Sequence, residues 1–277
     1  MNKIKNYGFS EKDVCIRPED FIFGAHLEQT VIRPDGQWDD ILTQYESQAR
    51  NFETWGCVPY ATTSQIELYH RGVFGTEPNY SERYLYNIME IEPPGSNPND
   101  AYQAIRHNGL VKQEILPMVN TLEEFKKPRP MEQKYKDEGL QWGYILQHEW
   151  ISSSDMKSAI IDALKYNPVA LSVTAWRKEG EFYVDDGQPN THWTLAYGWG
   201  TTPEGKTYLK IFDSYDFNGG EFLKKLHPDH HIGFAKRILL TKQLAVNIQK
   251  ISLITRILNL MYQLLEALKA KAGYGII

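Results

Sequence analysis

The stretch NFETWGCVPYATTSQIELYHRG holds Cys57, one of two cysteines in the chain. It follows a Trp-Gly pair and precedes a run that reads as helix. A thiol at a helix N-terminus meets free backbone N–H groups and the positive end of the dipole, and both favour the thiolate. A thiol nucleophile also needs a base, a group to orient that base, and donors for an oxyanion. His192, in NTHWTLAYGWG, is the candidate base. It opens a run of strand character behind turn residues, which sets its ring at a cleft edge. Asp213, closing the apolar run of YLKIFDSYD, is the candidate orienting group. Two neighbouring strands with these residues at matching ends would bring the side chains together. His192 lies 135 residues after Cys57, and Asp213 a further 21 on. Taken singly, each has a plainer role: a buried thiol, a strand-edge histidine, a turn-forming aspartate.

The elements that must hold these residues divide the chain. Pro59 to Arg71 reads as a helix with Pro in its first turn and Gly72 as its stop. NYSERYLYNIMEI and SNPNDAYQAIRHNGL read as two more capped helices. Residues 120–140 are charged and proline-rich, as in a crossover between lobes. SSSDMKSAIIDALKYN reads as a further helix. PVALSVTAW, GEFYVDDG, HWTLAYGWG, KTYLKIFDSYD and HIGFAKRILL then follow as short β-rich runs broken by turn residues. The expected fold class is α+β with two lobes. The expected boundaries are 1–45 for an irregular N-terminal extension with one strand near Phe21–Phe23, 46–125 for a helical lobe, 126–240 for a β lobe and 241–277 for a C-terminal amphipathic helix. In that helix Leu244, Ile251, Ile254, Leu258, Met261, Leu265 and Leu268, with Asn247 in the same column, keep a three-four spacing. The seam suits packing on its own domain, self-association or docking on a larger assembly through residues 241–272.

Composition narrows the function classes. The 277 residues carry a net charge of −5 and no basic patch, which argues against nucleic acid. Cys15 and Cys57 are too few for a disulfide framework. The N-terminus lacks the apolar run of a signal peptide, and no stretch of about eighteen uncharged apolar residues predicts a spanning helix. The expected place of synthesis and folding is the cytosol. His227, Asp229, His230 and His231 cluster in HPDHHIGF, but their spacing matches no zinc pattern and reads as a solvated loop. No metal or cofactor is expected.

These motifs together resemble the papain-like cysteine peptidases. HWTLAYGWG resembles that family's histidine strand, with Gly198 and Gly200 at the family's glycine positions. YLKIFDSYD resembles the following Asn-Ser-Trp motif: Asp213 stands for the Asn, Ser214 matches, and Tyr215 replaces the shielding Trp. PVALSVTAW resembles the strand before the histidine. The likeness covers about residues 46–240 and implies a papain-like fold with a helical lobe and an antiparallel, barrel-like β lobe. It implies a Cys57–His192–Asp213 triad. An oxyanion amide is implied too. The family's glutamine position falls on Asn51, but Gln48 carries the longer amide and is preferred. The family's Cys-Gly-Ser-Cys-Trp signature is absent. An aspartate in place of the asparagine adds a charge that favours the imidazolium. The thiolate is expected to persist into the acid range.

The resemblance implies hydrolysis of peptide or isopeptide bonds in a peptide or protein substrate. The divergence resembles that of phage-encoded relatives, which implies a cell-wall or virion protein substrate and a virion-associated location. Two alternatives stand beside it. One is an inactive papain-like module docked by its C-terminal helix. The other is a transglutaminase-like acyl transferase, which also orders Cys, His and Asp. The residues before Cys57 are fewer than the family's inhibitory propeptides, so no zymogen of the usual kind is expected.

Overall fold

The computed structural model describes residues 8–11, 14, 16, 30–127, 146–215 and 221–239, and positions 257, 261, 264, 265 and 268 of the C-terminal tail. Helix α1 (Cys57–Phe74) is the axis of the molecule. From Cys57 to Tyr69 every residue except Ser64 is buried. The sequence expectation that Gly72 stops this helix is corrected. Gly72 lies inside it because the Trp38 ring occupies the space of a side chain; a Cβ there would come within 2.5 Å of that ring. The stop is Gly75, whose φ of 68° lets its N–H reach the Arg71 carbonyl.

Three shorter helices follow, each opened by a side-chain cap. Ser81 accepts from the Tyr84 N–H at the start of α2 (Glu82–Ile88). Asn97 accepts from the Asn99 N–H before α3 (Pro98–Asn108), and Thr121 from the Glu124 N–H before α4 (Leu122–Lys126). These caps satisfy N–H groups that the first turn leaves open. Helix α5 (Met156–Leu164) is capped by Asp155.

The described strands form one sheet. They are β1 (Gln147–Ile151), β2 (Val169–Val173), β3 (Arg177–Glu179), β4 (Phe182–Val184), β5 (His192–Thr201), β6 (Thr207–Phe212), β7 (Leu223–Leu226) and β8 (Ala235–Leu239). Their order is β1-β8-β2-β5-β6-β7-β4-β3. Every pairing is antiparallel except β4 with β7, which is parallel. The β2, β4, β5, β6 and β8 runs were legible as strands; β1, β3 and β7 were not. The architecture is α+β, with helices leading and the sheet following.

Helix α1 lies against β5 at the centre of the sheet. Gln65 ties it to the neighbouring strands. Its Nε2 donates to the Pro168 carbonyl at 2.7 Å and the Lys236 carbonyl at 3.2 Å, and its Oε1 accepts from the Tyr102 hydroxyl. Around this seam the core contains charge. Arg237 donates to Glu149 with both side chains buried. Lys236 is fully buried, bonds to Asn99 Oδ1 at 3.0 Å and lies 3.8 Å over the Trp150 ring. A cation this deep is tolerated because hydrogen bonds and ring faces replace water.

Cys15, the strand expected near Phe21–Phe23, residues 128–140 of the crossover expected over 120–140, and Leu244, Ile251, Ile254 and Leu258 lie outside the described residues; residues 120–127 of that crossover are described and include α4. The described tail positions 257, 261, 264, 265 and 268 are helical. Their side chains are exposed, Met261 at 62%. Among the described residues, no helix is long and apolar enough to cross a membrane.

Replacing Gln65 by Met keeps the volume and strands the Tyr102 hydroxyl and two backbone carbonyls. The expected loss is about 1–3 kcal/mol of unfolding free energy, by the usual cost of an unsatisfied buried group. Urea unfolding measures it, and an unchanged midpoint would remove Gln65 from the seam's supports.

Candidate active site

Cys57 is the first residue of α1, and His192 the first of β5. Their elements pack together, and the Trp193 backbone N–H points at the Cys57 Sγ from 3.4 Å. Asp213 follows the last residue of β6. Strands β5 and β6 pair with Leu195 opposite Phe212, so the next positions, Thr194 and Asp213, lie side by side. His192 is on the same face two residues earlier. The result is a 2.6 Å contact between His192 Nε2 and Asp213 Oδ1, with both side chains fully buried.

Asp213 is held from three sides. Oδ1 also accepts from the Thr194 hydroxyl at 2.9 Å. Oδ2 accepts from Lys224 Nζ at 2.8 Å. Burial alone would push this carboxyl up; the Lys224 ammonium and the His192 ring outweigh it and hold the carboxyl well below the usual range. The Trp176 ring stands edge-on to His192 at 5.5 Å between centroids, and the Tyr215 ring at 6.4 Å. Tyr215 therefore flanks the histidine, with Trp176 supplying a nearer aromatic wall.

The loop before Cys57 is braced and strained. Trp55 has φ of 54°, unusual for a bulky residue. Its N–H is held by Glu53 Oε1 at 2.9 Å, and the Gly56 N–H by Thr54 Oγ1 at 3.1 Å. Gln48 is fully buried in this loop. Its Oε1 accepts from the Ser214 hydroxyl at 2.9 Å, and its Nε2 donates to Glu53 Oε1 at 3.2 Å. Its amide nitrogen carries two N–H donors. Asn51 is exposed instead and donates to the Val119 carbonyl at 2.9 Å. Of the two amides, Gln48 is the one joined to the residue after Asp213.

The expectation of an acid-range thiolate is corrected. Cys57 has no exposed surface. Burial pushes its thiol far above the ordinary range, and the Asp213 and Glu53 charges add to that, against the Trp193 N–H. The thiol was expected to keep partial access to solvent, but Gly8 lies against it. A Cβ built on Gly8 would sit 3.2 Å from the Cys57 Sγ and only 2.1 Å from the Trp55 carbonyl oxygen. The Gly8 carbonyl accepts from the Ser96 N–H at 2.9 Å. Phe9 packs on Trp193 at 5.4 Å, and Glu11 accepts from the Asn190 N–H at 3.1 Å. The segment thus bridges from the approach to α3 across Cys57 to the approach to β5. The N-terminal extension thus reaches Cys57 through Gly8.

The histidine cluster forms no joint site. His230 is buried, with Nδ1 against the His231 carbonyl and Nε2 against the Thr174 carbonyl. Asp229 pairs with Lys206 at 3.2 Å. Among the described residues no three His, Cys, Asp or Glu side chains are placed to hold a metal. Sequence reasoning missed Lys224, Thr194 and Trp176. Thr194 was within reach of the alternation that places it on the His192 face; Lys224 and Trp176 carried no local signal.

No family model and no curated sequence matches the chain. Solved structures do. The bromelain protease from Ananas comosus, in complex with the E64 inhibitor, is 18% identical at a TM-score of 0.59; the match covers 74% of this chain and 97% of that one. Digestive procathepsin L 3 of Tenebrio molitor larval midgut is 14% identical at 0.61, over 86% of this chain and 77% of that one. The Amb a 11 cysteine protease of ragweed pollen, in its proform, is 17% identical at 0.58, over 77% and 68%. The chain has the papain-like fold.

Gly8 has φ of 112° and no room for a side chain. An alanine there costs on the order of 1–3 kcal/mol of backbone strain. Gly8→Ala is therefore expected to loosen residues 8–11 and to speed alkylation of Cys57 by a neutral reagent about tenfold or more, since each 1.4 kcal/mol is tenfold. Cys15→Ser removes the background. An unchanged rate would mean that the segment does not guard the sulfur.

Proposed function

We propose that this chain is a cysteine peptidase that hydrolyses peptide or isopeptide bonds through Cys57, His192 and Asp213. The carrying observation is convergence: residues far apart in sequence place the Trp193 N–H on the Cys57 sulfur and the neighbouring His192 ring on Asp213. The papain-like fold supports the same reading, because its solved examples are named as cysteine proteases.

The roles follow from the chemistry of the groups. Cys57 gives its proton to His192 and attacks the substrate carbonyl carbon, forming a C–S bond. The oxyanion accepts from the Cys57 backbone N–H and from the Gln48 amide, each donor worth roughly 3–4 kcal/mol in such sites. The imidazolium then protonates the leaving amine as the C–N bond breaks. Water, deprotonated by His192, attacks the thioester and releases the acid and the thiol. Asp213 accepts from the ring and fixes its tautomer throughout. The covered conformation is latent: residues 8–11 must leave the sulfur before a carbonyl can reach it. The resemblance to phage-encoded chains adds a cell-wall cross-link or virion protein as the substrate class.

An epoxide thiol probe of the papain-inhibitor type tests this reading. In the Gly8→Ala chain it is expected to label Cys57 alone, and Cys57→Ala to abolish the label. His192→Ala is expected to slow labelling at pH 6 by roughly 10²-fold, within the range of a lost acid–base partner. No label on Cys57 in the opened chain would leave a non-catalytic papain-like module as the reading. Incorporation of a primary amine into a peptide in preference to water would move it to acyl transfer.

A further inference from the structure

Strand β7 reads LKKL and is buried at its second and fourth positions. Leu223 therefore faces outward, 38% exposed, while Lys224 faces inward, 3% exposed. That is the reverse of what burial favours, since lysine is almost never this buried without a partner. Its ammonium has three N–H donors and three acceptors: Asp213 Oδ2 at 2.8 Å, the Tyr215 carbonyl at 2.8 Å, and the Glu221 carbonyl. Trp176 and Tyr183 present their rings to it from 5.2 and 5.6 Å. A leucine would fill this inward position without any of these partners, so the lysine needs a reason beyond packing.

We propose that Lys224 is a positioning residue whose charge balances Asp213, so that the aspartate serves His192 as a neutral acceptor would. The proposal rests on the reading of Cys57, His192 and Asp213 as the reacting set. An unbalanced Asp213 in this dry site would favour the imidazolium and oppose the thiolate, and the first effect is what the sequence alone suggests. With Lys224 in place the four-residue set has no net charge when thiol and imidazole are neutral. It has none when they are thiolate and imidazolium. The proton can then pass from Cys57 to His192 without leaving an uncompensated charge in the interior. The three bonds of Lys224 also fix the Oδ2 side of the carboxylate and leave Oδ1 for the ring and the Thr194 hydroxyl.

Among the described residues, the other charged and titratable groups around the set are these. Glu53 faces Cys57 from the preceding loop. Tyr183 on β4 feels Asp213 and bonds to Glu221. Glu221 pairs with Lys178 of β3 at 2.7 Å. Tyr215 flanks the ring. All of these charges are still present when Lys224 alone is changed.

The test follows the pH midpoint of the His192 ring by NMR of the full chain with labelled histidines, assigned through His192→Gln. Lys224→Met is expected to move the midpoint up by about one unit or more, the usual effect of a charge at this range. Asp213→Asn leaves the lysine unbalanced and is expected to move it down. The double variant removes both charges and is expected to lie near the wild type, at least about one unit above Asp213→Asn. A wild-type midpoint in Lys224→Met overturns the proposal. If Lys224→Met fails to fold, equal midpoints in the double variant and Asp213→Asn overturn it. Failure of both lysine variants to fold would make Lys224 a structural residue and end the proposal. The midpoint is read without substrate, so a chain that hydrolyses nothing still decides the role of Lys224. A peptide-cleavage assay on the opened wild-type chain decides the peptidase reading separately.

Discussion

A buried carboxylate is the constraint around which this molecule is arranged. Asp213 is cut off from water, and a bare charge there would cost several kcal/mol even after relaxation. Every neighbouring element answers that cost. Strand β5 supplies His192 and Thr194, strand β7 turns a lysine inward, and Trp176 and Tyr215 flank the histidine. The register of β5 against β6 fixes which side chains meet, because a slip of one residue would send His192 to the other face. The site's geometry and the sheet's register are therefore one constraint.

The second support is the seam between α1 and the sheet. Cys57 and His192 lie on different elements, so their distance is only as fixed as that packing. Buried polar residues hold it where an apolar seam could slide. Gln65 bonds the Pro168 carbonyl just before β2, the Lys236 carbonyl of β8 and the Tyr102 hydroxyl, and the Trp193 N–H faces the sulfur itself. Such groups accept bonds only in narrow directions, which gives one register and angle to the docked helix. The charged residues Lys236 and Arg237 on β8 lie in the same interior, each matched to its own partner.

Much of this was legible from residue types and spacing. Cys57 before a helix, His192 at the start of a strand and Asp213 at the end of the next were visible because each depends on local pattern and chain order. What was not legible depends on contacts across the fold. LKKL looks like a solvated edge with two lysines, and nothing local says that Lys224 points inward. Gly72 looks like a helix stop until Trp38 is seen lying over it. The short strands β3 and β7 carry too few residues to show a period. Residues 8–11 have no periodicity at all, and their place over Cys57 is set by Gly95, Ser96 and Asn190.

The covered nucleophile shows how two true statements about a cysteine combine. The helix N-terminus does favour the thiolate, and the donor N–H of Trp193 does reach the sulfur. Neither suffices while the sulfur is dry. Removing solvent from a thiolate costs more than a helix dipole returns, since the dipole is worth about 0.3–1 kcal/mol at most exposed sites and up to ~2 when partly buried. On the proposed function, the same sulfur is inert while covered and reactive once uncovered, with no change required at His192 or Asp213. Covered by Gly8, it keeps its proton; with the segment displaced, water or a substrate can enter, the desolvation cost falls, and the charges already in place can act. The contacts around Asp213 lie beneath the surface, apart from the segment that covers the sulfur. The segment that keeps the sulfur dry comes from near the N-terminus, and its contacts include the Phe9 ring on Trp193, the Glu11 carboxylate on the Asn190 N–H, the Ser96 N–H on the Gly8 carbonyl, and a glycine that fits where no side chain could.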